Sequence, residues 1–425
     1  KQAWILEQGV YTLFVGNSSV NCKPCAHLKV ETEKVLERTH PICPVQHPFE
    51  ELKCAAPAME KAALATQMKL PCVRFNPEPE EKAQAAIVPL ADGPVEELIP
   101  LLYGNITKGA STLGSAGIRV PGSAGETSEA LETSRGVRSL IMADGPAGLR
   151  LRQSYQVDRD TGEVIPTGVL GSLDNGFLDE PKHHDNADTY YQFCTAFPVG
   201  TALAQSWDIE LMDEFGRAIA AEMEEFHIDL WLAPGLNIHR NPLCGRNFEY
   251  YAEDPLLSGM IAAAVTRGVQ HDGSRGVTIK HFACNNQEDH RMGVDVRVSE
   301  RALREIYLRG FEIVVKAAAP AAIMTSYNRI NGVQAANSRD LCTVVARKEW
   351  GFGGLIMSDW NTTVPEDGSI PWQCAAAGND VIMPGNPQDD ADIRKALREG
   401  VLKEEEVRAC AGRLIELSQR LSQGR

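Results

Sequence analysis

From about residue 138 onward, short apolar runs that finish in polar residues alternate with helical patterns, and this rhythm limits the fold more than any other feature of the chain. The runs are Leu140-Ile141-Met142-Ala143-Asp144, Leu230-Trp231-Leu232-Ala233-Pro234, Val277-Thr278-Ile279-Lys280-His281, Ala322-Ile323-Met324-Thr325-Ser326-Tyr327, Leu355-Ile356-Met357-Ser358-Asp359 and Val381-Ile382-Met383-Pro384. They are apolar almost throughout, as strands covered on both faces must be. Between them, Leu211, Phe215, Ile219 and Met223 make an i, i+4 stripe, and Asp254-Pro255 reads as an N-cap followed by an N1 proline. Leu303, Tyr307, Phe311 and Val314 make a second stripe capped by Ser299, and Val407, Leu414, Leu417 and Leu421 mark a final helix. This alternation predicts an α/β fold, a (β/α)8-type, TIM-like barrel, with a doubly wound open sheet as the competitor. The polar run ends favour the barrel: its strand ends converge on one face, whereas an open sheet concentrates its site at one switch point.

Residues 1–34 differ from the rest. Trp4-Ile5-Leu6, Val10-Tyr11-Thr12-Leu13-Phe14-Val15 and Ala26-x-Leu28-x-Val30 read as three short strands, with Gly9 and Gly16-Asn17-Ser18-Ser19 as turns. Strands so few are marginal alone, so they are expected to complete a β-sheet whose other strands lie elsewhere. With Lys1 rather than Met at the start, the expectation is that the numbering begins inside a longer polypeptide. Residues 35–95, rich in Pro, Glu and Ala and without a clear period, read as a linker with a helical piece near Met59–Met68, leaving 96–425 to the barrel. Gly114-Ser115-Ala116-Gly117 and Pro121-Gly122-Ser123-Ala124-Gly125-Glu126-Thr127 read as loops, the latter over a cleft; it lacks the Gly-Lys-Ser/Thr ending of a phosphate loop.

Composition narrows the partners. A net charge of -15 argues against nucleic acid and anionic membranes. No apolar run approaches the roughly 20 residues needed to span a bilayer. The 11 cysteines are scattered, which points to a reduced, cytoplasmic protein. Cys22-x-x-Cys25 has no second pair at zinc spacing, and His183-His184-Asp185 reads as a solvated loop. No metal or cofactor is expected.

On a barrel, Asp144, the Asn237–Arg246 segment, Lys280, His281, Tyr327, Asp359 and Trp360 would face one cleft. Carboxylates accept from vicinal hydroxyls, Lys, Arg and His donate, and an indole supplies an apolar face, so the set suits a neutral polyhydroxyl ligand. Each residue also has a plainer role. Asp144 before Gly145-Pro146 can set a turn, Arg246 and Glu249 can form a local ion pair, Lys280-His281 can be structural, Tyr327 can be core, and Asp359 can cap a helix. Their recurrence at strand ends is what favours the site.

Several segments occur in an order that resembles the barrel domain of glycoside hydrolase family 3, of the β-glucosidase type. They are Asp144-Gly145-Pro146-Ala147-Gly148-Leu149-Arg150, Pro234-Gly235-x-Asn237-Ile238-x-Arg240-x-Pro242, Gly245-Arg246-Asn247-Phe248-Glu249-Tyr250 and Glu253-Asp254-Pro255. Lys280-His281-Phe282, Asn285-Asn286-Gln287-Glu288, Tyr327-Asn328-x-x-Asn331-Gly332, Trp350-Gly351-Phe352 and Ser358-Asp359-Trp360 follow. The resemblance implies a retaining hydrolase of terminal β-D-glucosyl residues acting on a small β-glucoside or cello-oligosaccharide. Asp359 would be the nucleophile, and Tyr327 would hydrogen-bond it. Asp144, Arg246, Lys280 and His281 would hold the hydroxyls of the -1 sugar, and Trp360 would wall that subsite. Asp144 in its Asp-Gly-Pro setting implies a hexose such as glucose.

Two departures stand out. Phe282 is followed by Ala283-Cys284-Asn285, so the loop that carries a His–Asp dyad in the N-acetylglucosaminidase branch is absent. No α/β-sandwich domain, the source of the acid/base Glu in the two-domain branch, is found in the sequence. Residues 1–34 resemble the end of a fibronectin-III-like domain, here ahead of the barrel, which implies inverted domain order. The partner would then be a sandwich domain on another chain or fragment. A sugar-binding scaffold without chemistry and a Schiff-base enzyme built on Lys280 are the competing readings. The retained Asp359 weighs against the first, and His281 with two carboxylates beside Lys280 weighs against the second.

Overall fold

The computed structural model describes residues 2–18, 20–51, 69–75, 90–106, 119–165 and 184–423. The chain divides into two compact units, Lys1–Ala83 and Gln84–Arg425.

In the first unit, β1 (Ala3–Leu6) pairs antiparallel with β4 (Lys34–Arg38). β2 (Gly9–Gly16) pairs antiparallel with β3 (Cys22–Val30), and β5 (Cys72–Arg74) adds to β3 in parallel. The three strands expected from the sequence are present. β4 and β5 add to them, and both reach into the stretch 35–95 read as linker. Each is short and half polar, so neither interrupts the Pro- and Glu-rich composition that led to the linker reading. The helical piece expected near Met59–Met68 lies outside the described residues, as does the Gly114–Gly117 loop.

The second unit is built on a six-stranded sheet. Its members, in spatial order, are β6 (Gly125–Glu126), β7 (Ile141–Ala143), β10 (Leu230–Trp231), β11 (Gly276–Phe282), β13 (Ala322–Thr325) and β16 (Leu355–Met357). Pairings are parallel except for β6, which runs antiparallel to β7. Single bridges continue both edges: Met357 to Val381, Ile382 to Tyr103, and Gly104 to Thr127 directly after β6. Six strands and two bridge segments thus curl into a TIM-barrel-like ring. A uniformly parallel (β/α)8 repeat is corrected at β6, which the sequence reading placed in a loop. Two residues that include a glycine at φ +148° offer no apolar run to detect.

Two smaller sheets sit outside the ring. β8 (Ser154–Asp158) and β9 (Ala187–Tyr191) form an antiparallel pair, and β12 (Asp295–Val296), β14 (Arg329–Ile330) and β15 (Val333–Gln334) form a three-stranded sheet.

The helices follow the sequence signals with one exception. Asp208 caps Ile209–Glu225, accepting from the backbone of Glu210 and Leu211, and the helix buries Met212, Phe215, Ile219 and Met223. Leu211, expected in the buried stripe, is 45% exposed; Met212 packs inward in its place, because an i, i+4 series drifts about 40° per step around a helix of 3.6 residues per turn. Asp254 caps Pro255–Val269. Ser299 caps a helix that widens at Leu303–Tyr307 before Arg309–Ala318. The final helix, Glu404–Gln423, buries Val407, Leu414, Leu417 and Leu421. Among the described residues no helix is long and apolar enough to cross a membrane.

Candidate active site

The carboxyl ends of the parallel strands open onto a cleft of about 550 Å³. Asp144 follows β7, Arg246 and Glu249 sit on the segment after β10, Tyr327 follows β13, and Asp359 and Trp360 follow β16; all line the cleft. So do Lys280 and His281 of β11. Successive residues of a regular strand face opposite sides. The β11–β13 ladder shifts register between Ile279 and Phe282, and in that irregularity both neighbours reach the cleft. The seven residues singled out from sequence therefore stand together.

Asn237, from the same predicted set, works from behind. Its amide accepts from the His281 backbone N–H at 2.8 Å and donates to the His281 carbonyl at 2.9 Å, which clamps the peptide that carries the imidazole. Ser358 fixes the turn into Asp359: its hydroxyl accepts from Met383 N at 2.9 Å and donates to the Asp359 carbonyl at 2.8 Å.

The electrostatics divide the carboxylates into two kinds. Asp144 accepts from Lys280 Nζ at 2.8 Å and from Arg150 at 2.6 Å. Burial acts to raise its pKa, but Lys280 and Arg150 outweigh it and hold the carboxyl well below the usual range. Glu249 is paired with Arg246. Asp359 is different. Its Oδ1 accepts from the Trp360 N–H at 2.7 Å, while its buried Oδ2 has no hydrogen-bond partner and lies 3.6 Å from His281 Nε2. Burial pushes its pKa up, against Arg246, the Trp360 N–H and Lys280.

The Tyr327 hydroxyl donates to the Trp360 carbonyl at 2.8 Å and also lies beside the Asp359 carboxylate, whose charge and hydrogen bonding add to burial in pushing the phenol pKa up. Trp360 is itself fixed, donating from Nε1 to the Ala124 carbonyl at 2.9 Å. Gly125, at φ +148°, lies against this wall: a Cβ there would crowd Met383 Cε at 3.3 Å and meet the Trp360 ring at an ordinary contact distance of 3.7 Å.

Sequence reasoning missed Arg291, Phe248 and Met292, which also line the cleft, and gave Arg150 no role of its own. The Arg291 guanidinium lies 4.6 Å from the Tyr327 ring centroid and pairs with Glu288 at 3.0 Å. It comes from the irregular segment after β11, where no periodicity marks an inward-facing residue. The arrangement presents one partner-free carboxylate oxygen inside a ring of cations and an indole wall. That can stabilise or capture a cationic carbon while cations and amides hold the hydroxyls around it.

Comparison with known proteins places the chain in a family. The profile for the glycosyl hydrolase family 3 N terminal domain matches residues 185–417, more than half of the sequence. An exo-α-(1→6)-L-arabinopyranosidase of Bifidobacterium longum is 39% identical over 285 residues, covering 67% of this chain and 33% of the relative. β-Glucosidase 3B of Thermotoga neapolitana, solved with α-D-glucose, aligns with TM-score 0.63 and 39% identity over 77% of this chain and 41% of its own. A β-glucosidase of Paenibacillus barengoltzii aligns with TM-score 0.74 and 30% identity over 98% of this chain and 45% of its own. The chain thus spans a third to under a half of the length of these proteins. By the matched profile and by these likenesses, the chain belongs to glycosyl hydrolase family 3.

Proposed function

We propose that this chain carries the nucleophile and the -1 sugar subsite of a retaining β-glucosidase. The observation behind the reading is Asp359 Oδ2, a buried carboxylate oxygen left without a hydrogen bond beside a cleft large enough for a sugar ring. In this mechanism Oδ2 attacks the anomeric carbon as the bond to the aglycone oxygen breaks, and that oxygen takes a proton from an acid. Water, deprotonated by the same group, then releases the sugar from the ester with net retention. Asp144, Arg150, Arg246, Lys280, His281 and Arg291 hold the hydroxyls, Tyr327 fixes the backbone of the nucleophile, and Trp360 forms the wall. No cofactor or metal is invoked.

The acid lies elsewhere in this reading. Asp144 and Glu249 are both committed to cations, which leaves no described carboxylate of the cleft to donate to the aglycone. A sandwich domain, on another part of the protein or a separate chain, supplies the acid/base Glu. The strands of residues 1–34 belong to a fibronectin-III-like sandwich, 35–95 connects it, and 96–425 is the barrel. A cytoplasmic location rests on the scattered cysteines alone.

The likeness to an arabinopyranosidase adds a second glycone, an α-L-arabinopyranoside, whose ring lacks the hydroxymethyl group of glucose. The test is incubation with 2-deoxy-2-fluoro glycosides of both sugars that carry an activated leaving group, which lessens the need for the acid. Peptide mass mapping then reads the adduct. A glucosyl adduct on Asp359 is expected. An adduct only with the pentoside reassigns the sugar. No adduct with either, while glucose still binds, favours the sugar-binding scaffold.

A further inference from the structure

Behind the cleft, a chain of buried polar side chains ends on His281. Glu288, held by Arg291, accepts from Asn285 Nδ2 at 3.0 Å. An ionised carboxylate can only accept, so the group of the Asn285 amide that faces it is the NH2, which fixes the orientation of the amide. The second hydrogen of that nitrogen goes to Tyr250 Oη at 2.9 Å. Tyr250 is fully buried, and its own hydrogen is left for His281 Nδ1, 3.1 Å away. The phenol ring is pinned: a Cβ on Gly235 would stand 3.0 Å from its carbons, and it meets the imidazole edge-on at 76°. Burial, then Arg246, Lys280 and Arg291, push the His281 pKa well below the ordinary value, so the ring is neutral. A neutral imidazole that accepts at one nitrogen carries its hydrogen on the other.

We infer that Tyr250 is a positioning residue that holds His281 as the Nε2–H tautomer, so that the ring presents a donor to Asp359 and to the sugar hydroxyl beside it. The opposite tautomer would turn a lone pair toward Asp359 Oδ2, 3.6 Å away. Tyr250 does not itself line the cleft, so its effect passes through His281. The role of Asp359 rests on the proposed glycosidase reading; the tautomer does not.

The experiment labels the histidines of the chain with 15N and reads their protonated nitrogens from long-range 1H–15N correlations, with His281 assigned by its loss in His281→Gln. The wild type is expected to carry hydrogen on Nε2. In Tyr250→Phe the population shifts toward Nδ1–H. In the same variant kcat for an activated aryl glucoside falls roughly tenfold to a hundredfold, by analogy with the loss of partners that orient metal-ligating histidines, while KM changes less. Asn285→Ala keeps the phenol but frees its hydroxyl to rotate, and gives a mixed tautomer with a smaller loss. Nδ1–H in the wild type, or unchanged Nε2–H in both variants, overturns the assignment. If the wild type neither turns over a glycoside nor labels Asp359, the glycosidase reading fails, and the spectra still decide the tautomer.

Discussion

The Lys280 ammonium and the Asp144 carboxylate, 136 positions apart in sequence, meet at 2.8 Å on the wall of the cleft. Lys280 is only 3% exposed and lies between two carboxylate-bearing strand ends. Its charge therefore serves both the fold and any sugar hydroxyl that bridges the pair.

Replacing Lys280 by Met removes a charge-assisted hydrogen bond worth about 1.5–3 kcal/mol, and KM for a glucoside is expected to rise roughly ten- to a hundredfold. The stability effect has a definite pH sign. The folded pKa of Asp144 is depressed, so the pairing stabilises fully above the ordinary carboxylate pKa of about 4 and is lost as pH falls toward the folded value. Melting curves should show the variant least stable relative to the wild type near neutrality, with the gap closing in acid.

Asp359 behaves in the opposite sense. Burial raises its folded pKa, so the ionised carboxylate costs stability once the pH exceeds the unfolded value. Asp359→Asn should abolish turnover yet melt higher than the wild type at neutral pH, and lose that advantage as the pH falls below about 4, where the wild type becomes protonated in both states. A gap that stays constant with pH would sink this account. The acid limb of kcat/KM should likewise lie above the ordinary carboxylate range.

Asn237→Ala strips both hydrogen bonds from the buried His281 peptide. Leaving a buried N–H and C=O without partners costs about 1–3 kcal/mol for each group. Chemical denaturation should record a loss within that scale, and the glucoside kcat should fall with it. Asn237→Asp sets a buried carboxylate against the His281 carbonyl oxygen, so it should cost at least as much as Asn237→Ala.

Away from the cleft, Asp380 is 1% exposed and takes 2.7 Å contacts from both Arg347 and Arg413. Asp380→Asn leaves two buried guanidinium groups without their shared carboxylate. The expected cost is about 3–5 kcal/mol of stability, with unchanged KM for the fraction that remains folded.

The strand ends were legible because each apolar run is long enough to be seen and four of the six stop at a charged or aromatic side chain, the other two at a proline. Asp144, Lys280, His281, Tyr327 and Asp359 are all of this kind. Arg291 and Tyr250 were not, since they lie on irregular segments, where reach depends on turns far away in sequence. The antiparallel β6 was hidden for a related reason: Gly125 and Glu126 carry no alternation, and their pairing is set by the backbone of Met142 and Ile141. Leu211 shows the limit of a stripe drawn only at i, i+4 spacing, because three such steps drift about 120° around the helix and carry its far end into water.

The bridges that complete the ring tie one of its earliest segments to one of its latest. Tyr103 pairs with Ile382, and its hydroxyl donates to Asp390 at 2.7 Å. During synthesis Gly104 can meet Thr127 early, but Tyr103 waits for nearly the whole barrel to leave the ribosome before it finds Ile382. Until then the strand at Leu355–Met357 has an open edge of the kind that recruits other chains. A chain released before residue 381 should thus depend on chaperones in a way that one carried through the final helix, Glu404–Gln423, does not.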